Sequence, residues 1–269
     1  MSHIRLIISD IDGTILNDLH QIDSDLLTLI PDLKREEIPF VLASARSPKG
    51  MAPIAKELDI EDSPMACYNG ALIQKGEQVL LEHPLDKTEA RQFINWTKEH
   101  FPPVSINLYS GKDWMTDHLD QWSQEEARIT GEKPLILPLL DPLLDTTKPL
   151  HKLLLIGESE AIQALYRSLS ADDFPSTAFY LSKANYLEVT AKQVSKENAL
   201  IELANHYHLT LEEVLTMGDN FNDLPMLKKA GIGVAMGNAP QEVKDGATVV
   251  TKSNNENGAG QAVETYVLI

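Results

Sequence analysis

The sequence predicts an α/β fold built on a parallel β-sheet, with a second α+β unit inserted in the middle of the chain. The first supporting observation is the apolar run Ile4–Ile8, broken only by Arg5, which is typical of a strand buried on both faces of a parallel sheet. The second is the alternation of strand-like and helix-like segments over the first 70 residues and again after residue 190. The third is the segment between them, which holds all 3 tryptophans and most of the 15 prolines.

The N-terminal segments follow one another in the order strand, helix, strand, which is typical of βαβ units. Pro31 lies inside the first helical segment and is predicted to kink or split it, because proline lacks the N–H that a helix interior needs. Lys75-Gly76-Glu77 separates two short strand-like segments and predicts a hairpin. The predicted strands are 4–10, 38–43, 64–68, 71–74 and 78–83, and the predicted helices are 23–37 and 49–58.

The inserted segment begins at about residue 84, and the βα order returns after about residue 190. Asp223 is a candidate N-cap for the helix that follows it, and Pro225 fits the first turn of that helix. Apart from that helix, the predicted helices are 86–99, 159–170, 195–208, 239–246 and 258–266, and the predicted strands are 104–109, 152–156, 179–181, 214–217, 232–236 and 248–251.

Composition restricts the class of partner. The chain has 40 acidic and 23 basic residues, a formal net charge of −17, so nucleic acid and anionic membranes are poor partners and a small anionic substrate needs a local cation. The single cysteine, Cys67, cannot form an internal disulfide, and no apolar stretch approaches the roughly 20 residues that span a bilayer. With no signal-peptide pattern at the N-terminus, these features predict a soluble cytoplasmic protein, expected as a monomer or weak homodimer.

Two acids follow the first strand directly. Asp10 and Asp12 lie two residues apart, so an extended backbone directs both side chains to one side, at the sheet edge where open α/β folds bind ligands. Converging carboxylates repel each other unless a cation or a shared proton lies between them. Other strand ends and one helix start also carry polar residues, namely Ser44, Arg46, Asn69, Lys196, Asp219, Asn222 and Asp223.

These segments together resemble the four motifs of the haloacid dehalogenase superfamily of phosphohydrolases. The motifs are Asp10-Ile11-Asp12-Gly13-Thr14, Ser44-Ala45-Arg46, Ser195-Lys196 and Gly218-Asp219-Asn220-Phe221-Asn222-Asp223. The Tyr68–Ala71 turn, the insert of about 100 residues and the tail Val250–Gly258 resemble the Cof-type branch. The resemblance implies a Rossmann-like three-layer core at 1–83 and 186–269, and an α+β cap of type IIB at 84–185.

The resemblance implies that a phosphate ester is hydrolysed through a phosphoaspartate. Asp10 is the expected nucleophile, and Asp12 is the expected acid for the leaving group and base for water. Asp10, Asp219 and the backbone carbonyl of Asp12 are the expected Mg²⁺ ligands, while Asp223 is expected to hold Lys196 or a metal-bound water. Without a metal these four aspartates would face Lys196 alone and would repel a phosphate dianion, so a divalent cation is expected.

The remaining polar groups are expected to bind the phosphoryl oxygens. The Ser44 hydroxyl and the backbone N–H groups of Ile11 and Ala45 are suited to a small anion site. Lys196 is expected to neutralise charge that grows on the phosphoryl group, and the Asn222 amide to reach the phosphate.

Some positions depart from the family pattern or remain without a role. Ala45 and Glu197 stand where the family commonly has glycine; Ala45 would cost about 1 kcal/mol if its φ had to be positive. Helical geometry is expected to point Glu197 away from Lys196. Arg46 is interpreted as an ordinary surface charge, and Asn185 and Tyr186 are candidate residues of a substrate cleft.

The sequence thus predicts a Mg²⁺-dependent phosphatase of small phosphorylated metabolites, in particular sugar phosphates. A phosphomutase with the same chemistry is one alternative, and a non-catalytic phosphate-binding regulatory module is another. Asp12 argues against the module, because a sensor does not need an acid for a leaving group. The resemblance also favours a phosphatase or mutase over the related phosphoaspartate ATPases, which carry threonine at that position.

Overall fold

The computed structural model describes residues 4–170 and 172–268, and the chain divides into two compact units. The first unit contains the described residues of Met1–Arg46, Met51–Leu80 and Ser195–Ile269, and the second contains Ser47–Gly50 and the described residues of Leu81–Val194. The first unit holds a mostly parallel sheet and the second is an α+β insertion, so the predicted fold class is confirmed.

The predicted elements occur in the expected order, with bounds that shift by a few residues, and the structure adds strands at Asp113–Thr116, Leu135–Ile136 and Tyr186–Ala191 and helices at Gln121–Thr130 and Asp141–Leu144. The strands are β1 (Leu6–Ser9), β2 (Phe40–Ala43), β3 (Met65–Cys67), β4 (Leu72–Lys75), β5 (Gln78–Glu82), β6 (Ser105–Ser110), β7 (Asp113–Thr116), β8 (Leu135–Ile136), β9 (Lys152–Ile156), β10 (Thr177–Lys183), β11 (Tyr186–Ala191), β12 (Val214–Gly218), β13 (Ile232–Ala235) and β14 (Val249–Val250). The helices are α1 (Ser24–Arg35), α2 (Pro48–Glu57), α3 (Lys87–His100), α4 (Gln121–Thr130), α5 (Asp141–Leu144), α6 (Ser159–Ser168), α7 (Lys196–His206), α8 (Leu224–Lys229), α9 (Gln241–Gly246) and α10 (Gly258–Tyr266). None of the helices in the described part of the chain is both long and apolar enough to cross a membrane.

The eight-stranded sheet of the first unit has the order β14-β13-β12-β1-β2-β3-β4-β5. The strands from β14 to β3 run parallel, and β4 pairs antiparallel with β3. The carboxyl ends of β1, β2, β3, β12 and β13 therefore meet at one edge. The chain leaves β1 toward β2 and later returns to its other side as β12, which makes this edge a topological switch point suited to ligand binding.

The central strand β1 is buried on both of its faces. Leu6, Ile7 and Ile8 are fully buried. Leu6 and Ile8 belong to one apolar cluster with Leu200 of α7 and Met226 of α8, and the strand's period of two directs Ile7 to the opposite face. This burial explains why the strand is a continuous apolar run and why its end is held in a fixed place.

Of the two outcomes predicted at Pro31, a kink or a split in the first helix, the structure of helix α1 excludes the split. The helix runs without interruption over Ser24–Arg35, and the Asp23 carboxylate caps it by accepting two backbone N–H groups of the first turn at 2.9 and 3.0 Å. Leu26 and Leu33, on either side of Pro31, are both buried. Burial of this apolar face together with the cap stabilises the helix despite the hydrogen bond that proline cannot donate.

The second unit has a six-stranded sheet of order β10-β11-β9-β6-β7-β8, antiparallel except between β7 and β8. Residues 186–191, predicted to begin the return to the core, form β11 of this sheet instead, and the return lies at Ser195. Leu187 and Val189 explain the difference, because both point into the apolar cluster of the second unit. Alternating apolar residues fit either sheet, so the pattern alone does not place this boundary.

Candidate active site

Three aspartates gather at the carboxyl edge of the parallel sheet. Asp10 follows β1, whereas Asp219 and Asp223 follow β12, and each offers a carboxylate oxygen within 4.8 Å of the others. The backbone N–H of Asp10 donates to the Met217 carbonyl at 3.0 Å, which extends the β1–β12 pairing by one residue. The topology thus brings together two strand ends that are about 200 residues apart in sequence.

Lys196 lies among these acids. It is the first residue of α7, whose N-cap Ser195 accepts the Asn198 N–H at 3.1 Å. The Lys196 side chain is 1 % exposed, and its Nζ donates to Asp10 Oδ1 and, at 2.6 Å, to Asp223 Oδ1. Burial alone would lower the pKa of Lys196, but the two carboxylates outweigh it and raise that pKa, so the lysine is charged.

The electrostatics of the cluster favour an additional cation. Burial, with the charges of Asp223 and Asp219, raises the pKa of Asp10 to about 7 although Lys196 opposes the shift. Burial and the charge of Asp223 likewise raise the pKa of Asp219 to about 6. One lysine therefore does not compensate the cluster, and protons or a metal ion would stabilise it further.

The turn after Asp12 packs directly on Asp219. Gly13 has φ +79°, and a Cβ at this position would overlap the Asp219 carboxylate, so both backbone conformation and space require glycine. The buried Thr14 hydroxyl lies 3.3 Å from Asp10 Oδ2 and 3.5 Å from Asp219 Oδ1. The last two residues of the first motif thus connect the two carboxylates.

Asp223 uses both of its carboxylate oxygens within the protein. Oδ2 accepts the backbone N–H groups of Asp219 and Asn220 at 3.0 Å each, while Oδ1 accepts from Lys196. It stands at the N-cap position of α8 but makes no side-chain cap there, which corrects the capping prediction. Its hydrogen bonds suit it to hold the lysine and the Asp219 loop rather than to bind a metal directly.

Asp12 lies apart from the three carboxylates and forms a bidentate ion pair with Arg46. Arg46 Nε donates to Asp12 Oδ2 at 2.8 Å and Nη2 donates to Oδ1 at 2.6 Å. The Asp12 side chain is 53 % exposed. Arg46, interpreted from sequence as an ordinary surface charge, therefore has a defined partner in the site. A guanidinium bound to both oxygens fixes the plane of the carboxylate, which a lysine does not do.

Ser44 and Arg46 lie on a loop that a strained turn supports. The Asn69 N–H donates to the Ser44 carbonyl at 2.7 Å, and the Tyr68 N–H donates to the Arg46 carbonyl at 3.0 Å. Tyr68 and Asn69 both have positive φ, near +55°, which is unfavourable for a bulky residue such as tyrosine. Ala45 is not among the described residues with positive φ, so alanine is not strained there.

The other predicted residues occupy more varied positions. Ile11 is fully buried, with a carbonyl that accepts from the turn that follows it, and Asn222 is exposed in the loop after β12. Glu197 points away from Lys196, as expected, and its carboxylate accepts from Lys229 Nζ at 2.7 Å. In the second unit Tyr186 donates to Glu126 Oε2 at 2.9 Å.

The donor atoms fit a hard divalent cation. The three aspartates offer only oxygen atoms, as Mg²⁺ prefers. One of the three, Asp223, already accepts two backbone N–H groups. Asp10 and Asp219 are then the side chains suited to hold the ion. Mg²⁺ commonly takes one or two carboxylates and completes its shell with water and substrate oxygens.

Sequence reasoning missed three residues that the structure places at this site. Thr14 is part of the first motif, and its place directly after Asp12-Gly13 is a local signal for a position in the site. Arg46 belongs to the second motif but its partner lies 34 residues away, and Asn238 donates to the Gly13 carbonyl across 225 residues. No local pattern indicates the last two contacts.

Known proteins resemble this chain over nearly its whole length. A model of the haloacid dehalogenase-like hydrolase family matches residues 7–263. A Haemophilus influenzae protein named "Putative phosphatase" is 35% identical over 262 residues, covering 97% of each chain. A haloacid dehalogenase-like hydrolase structure from Bacteroides thetaiotaomicron has a TM-score of 0.88 at 30% identity, covering 97% of this chain and 98% of that one. A sugar phosphatase of subclass IIB shares the fold, with a TM-score of 0.80 at 21% identity and coverage of 98% and 100%.

Proposed function

The chain belongs to the haloacid dehalogenase-like hydrolase family and is a phosphatase, and we propose that it hydrolyses small phosphorylated metabolites through a phosphoaspartate on Asp10, with Mg²⁺ as cofactor. One observation carries the proposal: Asp10 is a buried carboxylate at the end of the central strand, in contact with a buried lysine and beside two further acids. With the lysine and a divalent cation together to stabilise its charged form, this carboxylate is available as a nucleophile toward phosphorus.

In the first step a carboxylate oxygen of Asp10 attacks phosphorus in line with the ester oxygen. The P–O bond to the leaving group breaks, and Asp12 donates a proton to the departing alkoxide. Lys196, the Ser44 hydroxyl and the Asn222 amide are assigned to the phosphoryl oxygens, with the backbone N–H groups of Ile11 and Ala45. Bound Mg²⁺, held by Asp10, Asp219 and the Asp12 carbonyl, would neutralise negative charge on the phosphoryl group.

In the second step water attacks the phosphorus of the phosphoaspartate. Asp12, now a carboxylate, takes a proton from that water, and the Asp10–phosphorus bond breaks to release inorganic phosphate. Because Asp12 is exposed, it can take from solvent the proton that it donates in the first step, and Arg46 orients it as the carboxylate that acts in the second step. Asp223 acts through Lys196, which it holds beside Asp10.

Small phosphorylated metabolites, in particular sugar phosphates, are the proposed substrates. The net charge of −17 opposes macromolecular polyanions, and the subclass IIB neighbour of the same fold is a sugar phosphatase. The second unit is proposed as the cap domain of the family, and a role of Asn185 and Tyr186 in binding substrate stays a prediction. The cytoplasm is the proposed location and a monomer or weak homodimer the proposed state.

Phosphate release from p-nitrophenyl phosphate and from a panel of sugar phosphates, with Mg²⁺ and with EDTA, tests the proposal. We expect turnover that requires the metal and a ranking of substrates by kcat/KM. A phosphomutase would instead return the phosphoryl group to a second hydroxyl without releasing stoichiometric phosphate. Binding of phosphate without turnover of any ester would favour the regulatory module and contradict the proposal.

The affinity for Mg²⁺ should increase as the pH rises through the range in which the two proposed ligands ionise. The pKa values of Asp10 and Asp219 in the metal-free fold are raised to about 7 and about 6. Because they are raised, the carboxyls favour folding below their unfolded pKa near 4, and that stability is lost as the pH rises through about 6 to 7. Mg²⁺ competes with these protons, so affinity should rise by up to about tenfold per pH unit for each proton displaced and level off above pH 7.5 or so.

Isothermal titration of the metal-free protein with MgCl₂ between pH 5.5 and 8 measures this dependence. Melting curves with and without Mg²⁺ should show a stabilisation by the ion that grows over the same range. An affinity that does not change between pH 5.5 and 7.5 would contradict the assignment of these carboxylates as ligands.

Arg46→Ala is expected to lower kcat by about tenfold to hundredfold with little change in KM, because the Asp12 carboxylate loses the bidentate contact that orients it. Arg46→Lys should recover little of the rate, since an ammonium group cannot bind both oxygens in the plane of the carboxylate. Arg5→Ala is the matched control, because Arg5 makes a single exposed contact with Glu213 at 3.1 Å, away from the aspartates. Equal rates for Arg46→Ala and the control would show that Arg46 does not position Asp12.

A further inference from the structure

We propose that Asn238 is a positioning residue for the metal site, which fixes the Asp219 carboxylate against the turn that carries Asp12 and Gly13. The inference rests on the proposed Mg²⁺ site of the phosphatase. Asn238 lies beyond the carboxyl end of β13, at the same sheet edge as Asp10 and Asp219. None of the four motifs contains it.

The contacts of the Asn238 side chain join three loops. Nδ2 lies 2.9 Å from the Gly13 carbonyl and 3.3 Å from Asp219 Oδ2, and Oδ1 accepts the Asn254 backbone N–H at 3.0 Å. A backbone N–H can only donate, so the atom that faces Asn254 must be the amide oxygen. The NH₂ group therefore points at two oxygen acceptors, and the orientation of the amide is determined.

The backbone that carries Asn238 is held from both sides. The Met236 N–H donates to the Gly218 carbonyl at 3.0 Å, and the Gly237 N–H donates to the Lys252 carbonyl at 2.9 Å. A Cβ at Gly237 would approach the Ser253 nitrogen to 2.7 Å, so the loop after β14 packs directly against this turn. Asn238 thus projects from a fixed backbone, as a positioning group requires.

A neutral amide is suited to this place in a metal site. It orients one Asp219 oxygen by hydrogen bonding without adding a positive charge that would repel a cation, as a lysine or arginine would. Its second hydrogen bond, to the Gly13 carbonyl, holds the turn at Gly13 against the same Asp219 carboxylate. The two already pack so closely that a Cβ at Gly13 would overlap the carboxylate. Loss of the amide would free Asp219 and that turn together.

Calorimetric titration of metal-free protein with MgCl₂, without substrate, tests the inference on Asn238→Ala and Asn238→Leu. Both variants lack the donor although they differ in size, so both should bind Mg²⁺ about tenfold to hundredfold more weakly than the unmodified chain. Asn238 is exposed, and melting curves in EDTA should show that both variants fold like the unmodified chain.

Asn255→Ala is the matched control, because Asn255 also ties the loop after β14 to the N-terminal turn, through Asp18, but contacts neither Asp219 nor Gly13. Its Mg²⁺ affinity should stay within about twofold of the unmodified chain. Unchanged affinity in either Asn238 variant, or an equal loss in Asn255→Ala, would overturn the role of Asn238. No Mg²⁺ binding by the unmodified chain would instead reject the proposed metal site itself.

Discussion

Replacing Asp10 by asparagine is expected to lower kcat by roughly 10⁴- to 10⁶-fold, since the nucleophile, lysine and acids act as one unit. Asparagine keeps an oxygen that can accept the Lys196 hydrogen bond, so the fold and the position of the lysine should be preserved. The amide does not attack phosphorus and cannot form the acyl phosphate. Loss of turnover would therefore reflect chemistry rather than unfolding.

Two measurements separate the role of Asp10 as nucleophile from a role in binding. Steady-state kinetics on the best ester should show the loss in kcat, and acid quenching with a ³²P-labelled substrate should trap a hydroxylamine-sensitive label on the unmodified protein only. Asp59→Asn is the control, because Asp59 is an exposed partner of Lys34 at 2.6 Å. Full turnover in Asp10→Asn would reject the phosphoaspartate mechanism for this chain.

The groups that the sequence places correctly are those whose position follows from a strand end or helix start. Asp10 ends a buried apolar strand, Asp219 ends another, and Lys196 begins a helix. Parallel strands bring their carboxyl ends to one edge, so these assignments predict that Asp10 and Asp219 meet. Lys196 does not follow a strand, and its contacts with Asp10 and Asp223 agree with what the family resemblance implies.

Contacts between loops could not be predicted in the same way. Arg46 reaches Asp12, and Asn238 reaches Asp219, through side chains whose directions depend on turns that no periodicity describes. The positive φ of Tyr68 is a further example, because propensity alone disfavours it and tertiary contacts impose it. Residues 186–191, which the sequence predicts in the core, form a strand of the second unit, because alternating apolar residues do not specify which sheet a strand joins.

Lys196→Met is the second substitution expected to have a large effect, and it should reduce both stability and activity. Methionine fills much of the space of the lysine but leaves Asp10 and Asp223 buried without their cation, and removing one partner of a buried ion pair costs about 3–5 kcal/mol. The loss of a positive group beside the phosphoryl oxygens should lower kcat by a further 10²- to 10³-fold or so.

The pH dependence of the loss of stability in Lys196→Met identifies the cause of that loss. Without Lys196 the folded pKa of Asp10 should rise further, so the variant should be closest to the unmodified chain at the acid end of the range, where Asp10 is protonated in both folded proteins. The difference in unfolding free energy, from urea titrations between pH 5 and 8, should then grow as the pH rises through the folded pKa. Mg²⁺ should recover part of the stability, since it supplies the missing positive charge.

Lys229→Met is the matched control, because Lys229 also binds a carboxylate, that of Glu197 at 2.7 Å, but the two side chains are 41 % and 34 % exposed, whereas Lys196 is buried. Exposed pairs are screened by water, so this variant should melt close to the unmodified chain at every pH. If Lys196→Met were equally stable and its stability did not vary with pH, the buried acids would not depend on the lysine. The balance of charge around Asp10 that makes it a nucleophile would then need a different explanation.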